Sequence, residues 1–467
     1  MNTKNQTILI IGAGLCGSLL ALRMAQRGYH IQLIEKRPDL RKEDIGAGRS
    51  INLALSDRGM KGMKLVGLEQ KVKHLCIPMY GRMIHDLEGN TFLSRYSGRE
   101  EEYINSISRT GLNALLLDEA EKMENITLVF NHNCKKVDLE EGIATFYDEV
   151  NQREILLKGD IVIGTDGAGS VLRQSMYLHK KFLFSFSQNF LTHGYKELSF
   201  PPAKDGGFLT EKGALHIWPR GENMLIALPN LDGSFTVTLF LSWSEGEYNF
   251  ENLNTPERVT EYFEKFYPDA LALMPQLATE FFENPTGALG TVKCYPWSSY
   301  GKTLLMGDAA HAIVPFYGQG MNASFEDVVV FDEILDKHKD DWDKVFTEYE
   351  KIRKKDTDAI ADLALDNFHE MKSHTASALF QEKRKLETAF EKEFPFEYYS
   401  KYSLVTFHED IPYSEAMRRG RAQDKAILNL LADGKINLEN PLRDTLELVK
   451  RETERIVHDD AIAKNLM

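Results

Sequence analysis

Residues 7–35 read TILIIGAGLCGSLLALRMAQRGYHIQLIE. Thr7 to Ile11 is an unbroken apolar, β-branched run, the pattern of a strand buried on both faces. Gly12-Ala13-Gly14-Leu15-Cys16-Gly17 follows, then helical periodicity from Ser18 to Arg27, then a second strand from Ile31 to Ile34 that ends at Glu35. In such a βαβ unit, Gly12 makes the tight strand-to-helix turn, and Gly14 lets the backbone approach a pyrophosphate. Gly17 lets the helix lie close on the strand, and the helix N-terminus attracts phosphate. Glu35, eighteen positions after Gly17, is placed to accept hydrogen bonds from ribose hydroxyls. The fingerprint alone admits NAD or FAD.

Two later stretches bear on that choice. Asp160 to Arg173 (DIVIGTDGAGSVLR) reads as a buried strand, a tight Asp166-Gly167 turn and a helix start. Thr303 to Asp327 (TLLMGDAAHAIVPFYGQGMNASFED) reads as a strand, Gly307-Asp308, a Pro-Phe loop, and Gly318-Gln319-Gly320 opening a helix. The second stretch suits a flavin. Asp308 can accept from the ribityl hydroxyls. The N–H groups around Gly320, Met321 and Asn322 can face the pyrimidine edge, which turns anionic on reduction.

Outward from these motifs, the chain has 467 residues, 43% of them apolar, which suits two or three packed units and excludes general disorder. The formal net charge of −14 disfavours nucleic acid as a partner. The cysteines Cys16, Cys76, Cys134 and Cys294 are scattered without a CxxC pair, so neither a metal site nor a disulfide framework is expected, and a reducing compartment is. The uncharged run between Lys4 and Arg23 is broken by glycines and lacks an A-x-A site, so it is read as part of the βαβ unit rather than a secretory signal. Residues 375–467 are strongly charged with no long apolar run, so no membrane span is expected and a soluble, cytoplasmic protein is. Phe182 to Val292 is rich in Phe, Thr, Trp and turn residues and reads as an antiparallel sheet with one face covered. From about Glu326 the pattern is helical and charged.

The three motif segments, in this order and spacing, resemble the single-component FAD-dependent aromatic hydroxylases of the para-hydroxybenzoate hydroxylase type. Within that family GRSINLALSDRG (48–59), IPMYGRMIHDLEGN (77–90), YINSISRTGLN (103–113), PFYGQGMNASFED (315–327) and YSLVTFHEDIPYSEA (402–416) resemble the branch that acts on L-kynurenine. The resemblance implies bound FAD, transient NADPH and O₂, and conversion of L-kynurenine to 3-hydroxykynurenine. The reactive group is then a flavin hydroperoxide, and no side chain is assigned as catalytic. The expected fold is α/β: a Rossmann-type FAD-binding domain (1–75, 101–181 and 293–374), an inserted antiparallel β-sheet substrate domain (76–100 and 182–292), and a C-terminal helical region (375–467). Monomer and homodimer both stay open.

Electrophilic attack on kynurenine needs an electron-rich ring, which its amino group provides without a strong protein base. The protein must orient the ring, hold the amino-acid headgroup and exclude water. Arg82 suits a carboxylate clamp through its planar, bidentate guanidinium, and Tyr96 adds a hydroxyl. The resemblance adds Asn367 and Tyr402 to the headgroup pocket, with Phe316 and Phe240 as ring walls. Tyr317 stands where several family members carry histidine, which leaves the polarity of the pocket open. For the cofactor, Cys16 lies within the glycine loop, and Lys36 and Arg37 either meet the adenosine half or form a solvated charge pair. Arg109 reaches toward the ribityl–pyrophosphate region, the backbone at Cys134 toward adenine, and Ala54 and Leu55 flank the isoalloxazine. In the family the segment at Asp166 serves FAD and NADPH, whereas its plain reading is a Rossmann strand and turn. His311 is read as structural.

The alternative within enzymes is an FAD monooxygenase for a different electron-rich aromatic acid. A halogenase is disfavoured because HIWPRGE does not match W-x-W-x-I-P. The contrasting class is a flavin-binding protein without hydroxylation.

Overall fold

The computed structural model describes residues 6–42, 52–373 and 378–465, so the first four residues of the 48–59 string lie outside the described residues. The fold is mixed α/β and divides into two compact units. The first comprises Met1–Cys76, Ser106–Leu191 and Glu283–Ala361, and the second Ile77–Asn105, Thr192–Phe282 and Asp362–Met467.

In the first unit, Thr7–Ile11 is the strand the sequence suggests. It pairs in parallel with His30–Ile34 on one side and Ile161–Gly164 on the other. With Ile8, Leu9 and Ile10 fully buried, its continuous apolar pattern follows from being covered on both faces. The sheet order is Ser298–Ser299, Thr303–Leu305, Ile161–Gly164, Thr7–Ile11, His30–Ile34, Ile126–Val129, parallel except at its first edge. Every strand that ends in a motif residue therefore points its C-terminal end the same way, where ligands of open α/β sheets bind. Helix Leu15–Gln26 covers this sheet, and a three-stranded antiparallel sheet (His132–Asp138, Ile143–Asp148, Arg153–Lys158) joins the same core. Within the uncharged run between Lys4 and Arg23, Thr7–Ile11 is a strand of this unit and the residues from Leu15 on belong to its helix, with Leu19 to Leu22 buried.

The second unit carries a sheet in the order 192–200, Phe235–Ser242, Asn223–Pro229, Leu215–Arg220, Gly81–His85, Thr91–Arg95. Two features depart from the sequence reading. The Leu215–Arg220 and Gly81–His85 strands run parallel, so the sheet is mixed. Phe235–Ser242 is buried at every position, so it is covered on both faces rather than one. Its odd-numbered residues Phe235, Val237, Leu239 and Leu241 join Trp218, Leu225 and the helices within 256–283 in one apolar core. Helix Pro256–Phe266 begins as its sequence dictates: Thr255 Oγ1 accepts from the Arg258 N–H, and Pro256 fills the first turn, where no N–H is needed. The C-terminal helices Ala378–Glu393, Tyr413–Ala432 and Leu442–Asn465 bury Leu386, Phe390, Ile427, Leu446 and Val449 together. No helix among the described residues is long and apolar enough to cross a membrane.

Candidate active site

The glycine loop is built by close approach. Gly12 adopts φ +104°, and a Cβ there would sit 2.7 Å from the Thr165 carbonyl oxygen. A Cβ on Gly17 would sit 2.0 Å from the Gly12 carbonyl oxygen. Gly14 differs. It has φ −71°, and a Cβ on it would meet nothing within 4 Å. The space in front of Gly14 is where a diphosphate would approach the start of helix Leu15–Gln26. Glu35 braces the loop: one oxygen accepts from the Ala13 N–H (2.9 Å) and the other from the Arg37 N–H and Nε (3.1 and 3.0 Å). Arg37 thus folds back on Glu35, while Lys36 stays exposed. Cys16 is buried, its sulfur 3.6 Å from the Ser324 carbonyl oxygen, so its side chain belongs to the core and only its main chain belongs to the loop. Burial pushes its thiol up, which leaves it protonated.

The second and third motifs converge on the same strand ends. Asp166 Oδ2 accepts from the Val171 N–H at 2.6 Å, whereas its Oδ1 is buried with no partner, and burial raises its pKa. An orphaned buried oxygen beside the glycine loop is the kind of group a ligand donor completes. Asp308 is exposed at the first position of Asp308–His311, directly after Gly307. Helix Gly320–His338 has Ala323 N–H to Gln319 C=O as its first bond (2.8 Å), so Gly320, Met321 and Asn322 carry its opening N–H groups. The Asn322 side chain holds the loop instead of facing outward. It donates to the Ala54 and Gly318 carbonyls (both 2.9 Å) and accepts from the Ser56 N–H (3.0 Å). Ala54 and Leu55 are thereby fastened to the turn at Gly318, with Leu55 itself in the core. Arg109 is exposed in the first turn of Arg109–Glu121, where a cation is unfavourable unless an anion joins it. Cys134 turns its thiol into the core, and burial raises that thiol to about 12. These residues fit FAD: open space at Gly14, an unfilled oxygen at Asp166, an exposed carboxylate at Asp308 and a helix start at 320.

Behind the loop lies a charge network that the sequence reading did not identify. Arg353, 1% exposed, donates to Asp327 Oδ1 (2.7 Å), Glu326 Oε2 (2.5 Å) and the Ala323 carbonyl (3.1 Å). Arg58, also buried, donates to Glu326 Oε1 at 2.6 Å. Asp327 Oδ2 accepts from the Gly307 N–H (3.0 Å) and pairs with His311 Nε2 (2.6 Å). One carboxylate thus ties the turn before Asp308 to the helix that starts at 320, and His311 is structural as expected. The available signal was Glu326-Asp327 standing inside an apolar helical run, a pair of acids that burial would oblige to find cations.

In the second unit, Arg82, Tyr96 and Tyr402 come together. The Arg82 guanidinium carbon lies 4.9 Å from the Tyr402 ring centre and 5.8 Å from that of Tyr96. The two rings stack at 5.1 Å and 12°. No carboxylate among the described residues pairs with Arg82. The Tyr96 hydroxyl is buried without a hydrogen-bond partner. Burial pushes both phenols up, so each keeps its proton and acts as a donor. Strand register places Phe240 on the Arg82 face of the sheet: Arg82 lies opposite Leu215, Ile217 opposite Ile226, and Ile226 opposite Thr238, the neighbour of Phe240 on that face. Asn367 is half-buried near the end of helix Trp342–Ser373. Phe316 and Tyr317 belong to the first unit, buried in the turn Pro315–Tyr317 just before the helix start.

The segment carrying Tyr96 is held by C-terminal residues the sequence reading missed. Arg384 donates to the Tyr96 carbonyl (2.9 Å), Glu391 Oε2 accepts from the Gly98 N–H (3.2 Å), and Arg99 donates to the Pro395 carbonyl (2.7 Å) and to that of Tyr398. Glu102 Oε2 accepts from Ser403 Oγ at 2.8 Å.

Comparison with known proteins agrees with this geometry. The family model described as the FAD binding domain matches residues 5–364. The kynurenine 3-monooxygenase of Myxococcus xanthus is 44% identical over 96% of this chain and 95% of its own. That of Dictyostelium discoideum is 45% identical over 92% and 94% respectively. Among solved structures, the tetrameric form of 2-methyl-3-hydroxypyridine-5-carboxylic acid oxygenase superposes with a TM-score of 0.62 at 18% identity, covering 83% of this chain and 98% of that one. The tetracycline destructase Tet(51) gives 0.59 at 18% identity, over 83% and 96%. At that identity the two structures speak for the fold.

Proposed function

This chain belongs to the FAD-binding flavoproteins and, within them, to the kynurenine 3-monooxygenase family, and from that we propose that it hydroxylates L-kynurenine at ring C3 to 3-hydroxy-L-kynurenine, using NADPH and O₂. The observation that carries the substrate reading is Arg82, a guanidinium framed by two protonated phenols and paired with no described carboxylate. An amino-acid carboxylate would complete it, accepting two parallel N–H bonds from Arg82 and an O–H from Tyr96. That complex fills the Tyr96 hydroxyl's missing bond, and the stacked rings keep the pair rigid. Asn367 and Tyr402 complete the headgroup site, and Phe240 shares the sheet face along which the aromatic ring would lie.

FAD, reduced by NADPH, supplies the electrons that activate O₂ for transfer of one oxygen atom to the ring. The first unit's residues hold it. Gly12, Gly14, Cys16 and Gly17 provide the main-chain cradle for its diphosphate, with Arg109 as the countercharge. Glu35, braced by Arg37, would face the adenosine ribose with the exposed Lys36 beside it, and the Cys134 backbone would face adenine. Asp308 accepts from the ribityl hydroxyls, and Asp166 offers its unfilled oxygen. The N–H groups of Gly320, Met321 and Asn322 stabilise negative charge at the flavin edge, beside Ala54, Leu55, Phe316 and Tyr317. No side chain is required as a base, because the substrate's own amino group activates the ring.

The test is NADPH oxidation by the purified yellow protein. The expected result is fast oxidation only with L-kynurenine present, yielding a product one oxygen atom heavier. Equal, slow oxidation with every aromatic acid would contradict the substrate reading, and a colourless protein that takes up no FAD on reconstitution would contradict the cofactor's place in it.

A further inference from the structure

On the face of the second unit's sheet opposite Arg82 lies a buried chain of polar groups. His85 Nδ1 is 2.7 Å from Asp269 Oδ2, His85 Nε2 is 2.9 Å from His216 Nδ1, and His216 Nε2 is 2.7 Å from the Glu211 carbonyl oxygen. His85 is 6% exposed and His216 fully buried. A carbonyl oxygen only accepts. Asp269 Oδ2 already accepts from Trp218 Nε1 at 2.8 Å, which suits a carboxylate. Three contacts between two acceptor ends and two imidazoles need three N–H protons, and two neutral imidazoles hold only two.

We propose that His85 is a buried imidazolium, donating at once to Asp269 and His216, and that this proton locks the strand carrying Arg82 to its neighbour. His216 is then the neutral tautomer with its proton on Nε2, aimed at Glu211. Three further observations agree. The His85 ring stacks on Trp218 at 3.9 Å and 23°, a cation on an indole face. Burial lowers His216 to about 4, so the extra proton does not reside there. Against its own burial, Asp269 is held below the usual carboxylate range by His85 and Trp218. The charged and titratable groups around His85 are Asp86 on its own segment, His216 and Arg220 on the next strand, Asp269 with Tyr262 and Tyr267 from the helical side, and Glu211 from the loop. Arg220 donates to the His85 and Asp86 carbonyls, so its charge is spent on the backbone.

The consequence reaches Arg82 through register. His216 stands opposite Met83, and Leu215 opposite Arg82, so the link His85–His216–Glu211 spans the strand pair that aims the guanidinium. Loss of the proton leaves two acceptors facing each other at one of the three contacts. The contact to Asp269, the link between the two strands or the contact to Glu211 then lets go. His85 is therefore a positioning residue, and this kinetic role rests on Arg82 being the carboxylate clamp.

The experiment is ¹⁵N NMR of the full-length, FAD-loaded protein labelled at histidine, with His85→Gln and His216→Gln used for assignment, alongside steady-state kinetics. At pH 7 we expect, among the thirteen histidines, a signal with both ring nitrogens protonated that is lost in His85→Gln, and a neutral Nε2–H signal that is lost in His216→Gln. We expect His85→Gln to raise the KM for L-kynurenine about tenfold with kcat within about twofold and FAD content unchanged. A neutral His85 at pH 7 overturns the proton assignment, and should a glutamine variant fail to fold, the His85→Asn and His216→Asn variants supply the assignment. An unaltered KM in His85→Gln overturns the coupling. If instead Arg82→Ala leaves KM unchanged, the clamp reading fails and takes the kinetic half with it, while the NMR result decides the proton assignment by itself.

Discussion

Gly14 and Gly17 are three residues apart, yet the fold uses them for opposite reasons, and substitution separates the two. Gly17 is crowded by the Gly12 carbonyl, so Gly17→Ala forces main chain apart and should cost about 3 kcal/mol in urea unfolding of the FAD-free protein. Gly14 has an ordinary φ and open space before it, so Gly14→Val should leave that stability within about 0.5 kcal/mol while abolishing flavin absorbance at purification. A Gly14→Val protein that retains its yellow colour would remove the diphosphate from this loop. Arg82→Ala should behave in the converse manner. FAD content stays normal and the KM for L-kynurenine rises by the equivalent of ~2–5 kcal/mol, the cost of leaving a charge buried without its partner. The crowding at Gly12 and Gly17 and the open approach at Gly14 could be read from sequence because each expresses a local requirement of the strand–turn–helix. The spent side chain of Asn322 could not: its partners Ala54 and Ser56 lie more than 260 positions away, and nothing local distinguishes a side chain that holds a loop from one that holds a ligand.

Among elements, helix Gly320–His338 is the piece most dependent on distant support. Its first two turns carry Glu326 and Asp327 into the core, and Arg58 and Arg353 arrive from two other helices to neutralise them. Arg353→Met leaves two buried carboxylates short of a cation and should destabilise the first unit by ~3–5 kcal/mol, read as a lower urea midpoint. The acid response has a definite sign. Burial raises Asp327, but His311 and Arg353 outweigh it and hold the carboxyl below its usual range. A depressed carboxylate contributes stability that is complete above the ordinary aspartate value near 4 and is lost as pH falls through the folded value. The wild-type urea midpoint should therefore hold to about pH 4 and fall only in stronger acid, with Arg353→Met declining at higher pH. Parallel midpoint-versus-pH curves for the two proteins would contradict this account. The strand–turn–helix motifs were legible because apolar runs and turn glycines encode them locally. The parallel pairing of Gly81–His85 with Leu215–Arg220 was not, since more than a hundred residues separate the strands and register is settled by tertiary packing. Helix Pro256–Phe266 is marked in the sequence as well. Its Thr255-Pro256-Glu257 start is a helix signature embedded in an otherwise β-rich stretch.

At the scale of the whole molecule, the proposal assigns separate parts of the chemistry to the two units: the residues proposed for the cofactor fall in one and those proposed for the headgroup in the other. Hydrogen exchange on the apo-protein should divide accordingly. FAD should slow exchange at residues 12–17 and 320–323, and L-kynurenine added to the loaded protein should slow it at 95–102 and 401–407. Protection of 401–407 by FAD alone, with none added by L-kynurenine, would contradict the division of labour. The ties that hold Tyr96 in place also impose an order on biosynthesis. Gly98 waits for Glu391, 293 positions later, and Arg99 for the carbonyl of Pro395, 296 positions later. At ribosomal rates of roughly 5–20 residues per second, the first partner emerges some 15–60 s after the segment it must grip. Until the last seventh or so of translation the nascent polypeptide carries an unfinished clamp, and a premature stop near residue 390 would yield a flavin-coloured product that cannot seize its amino acid.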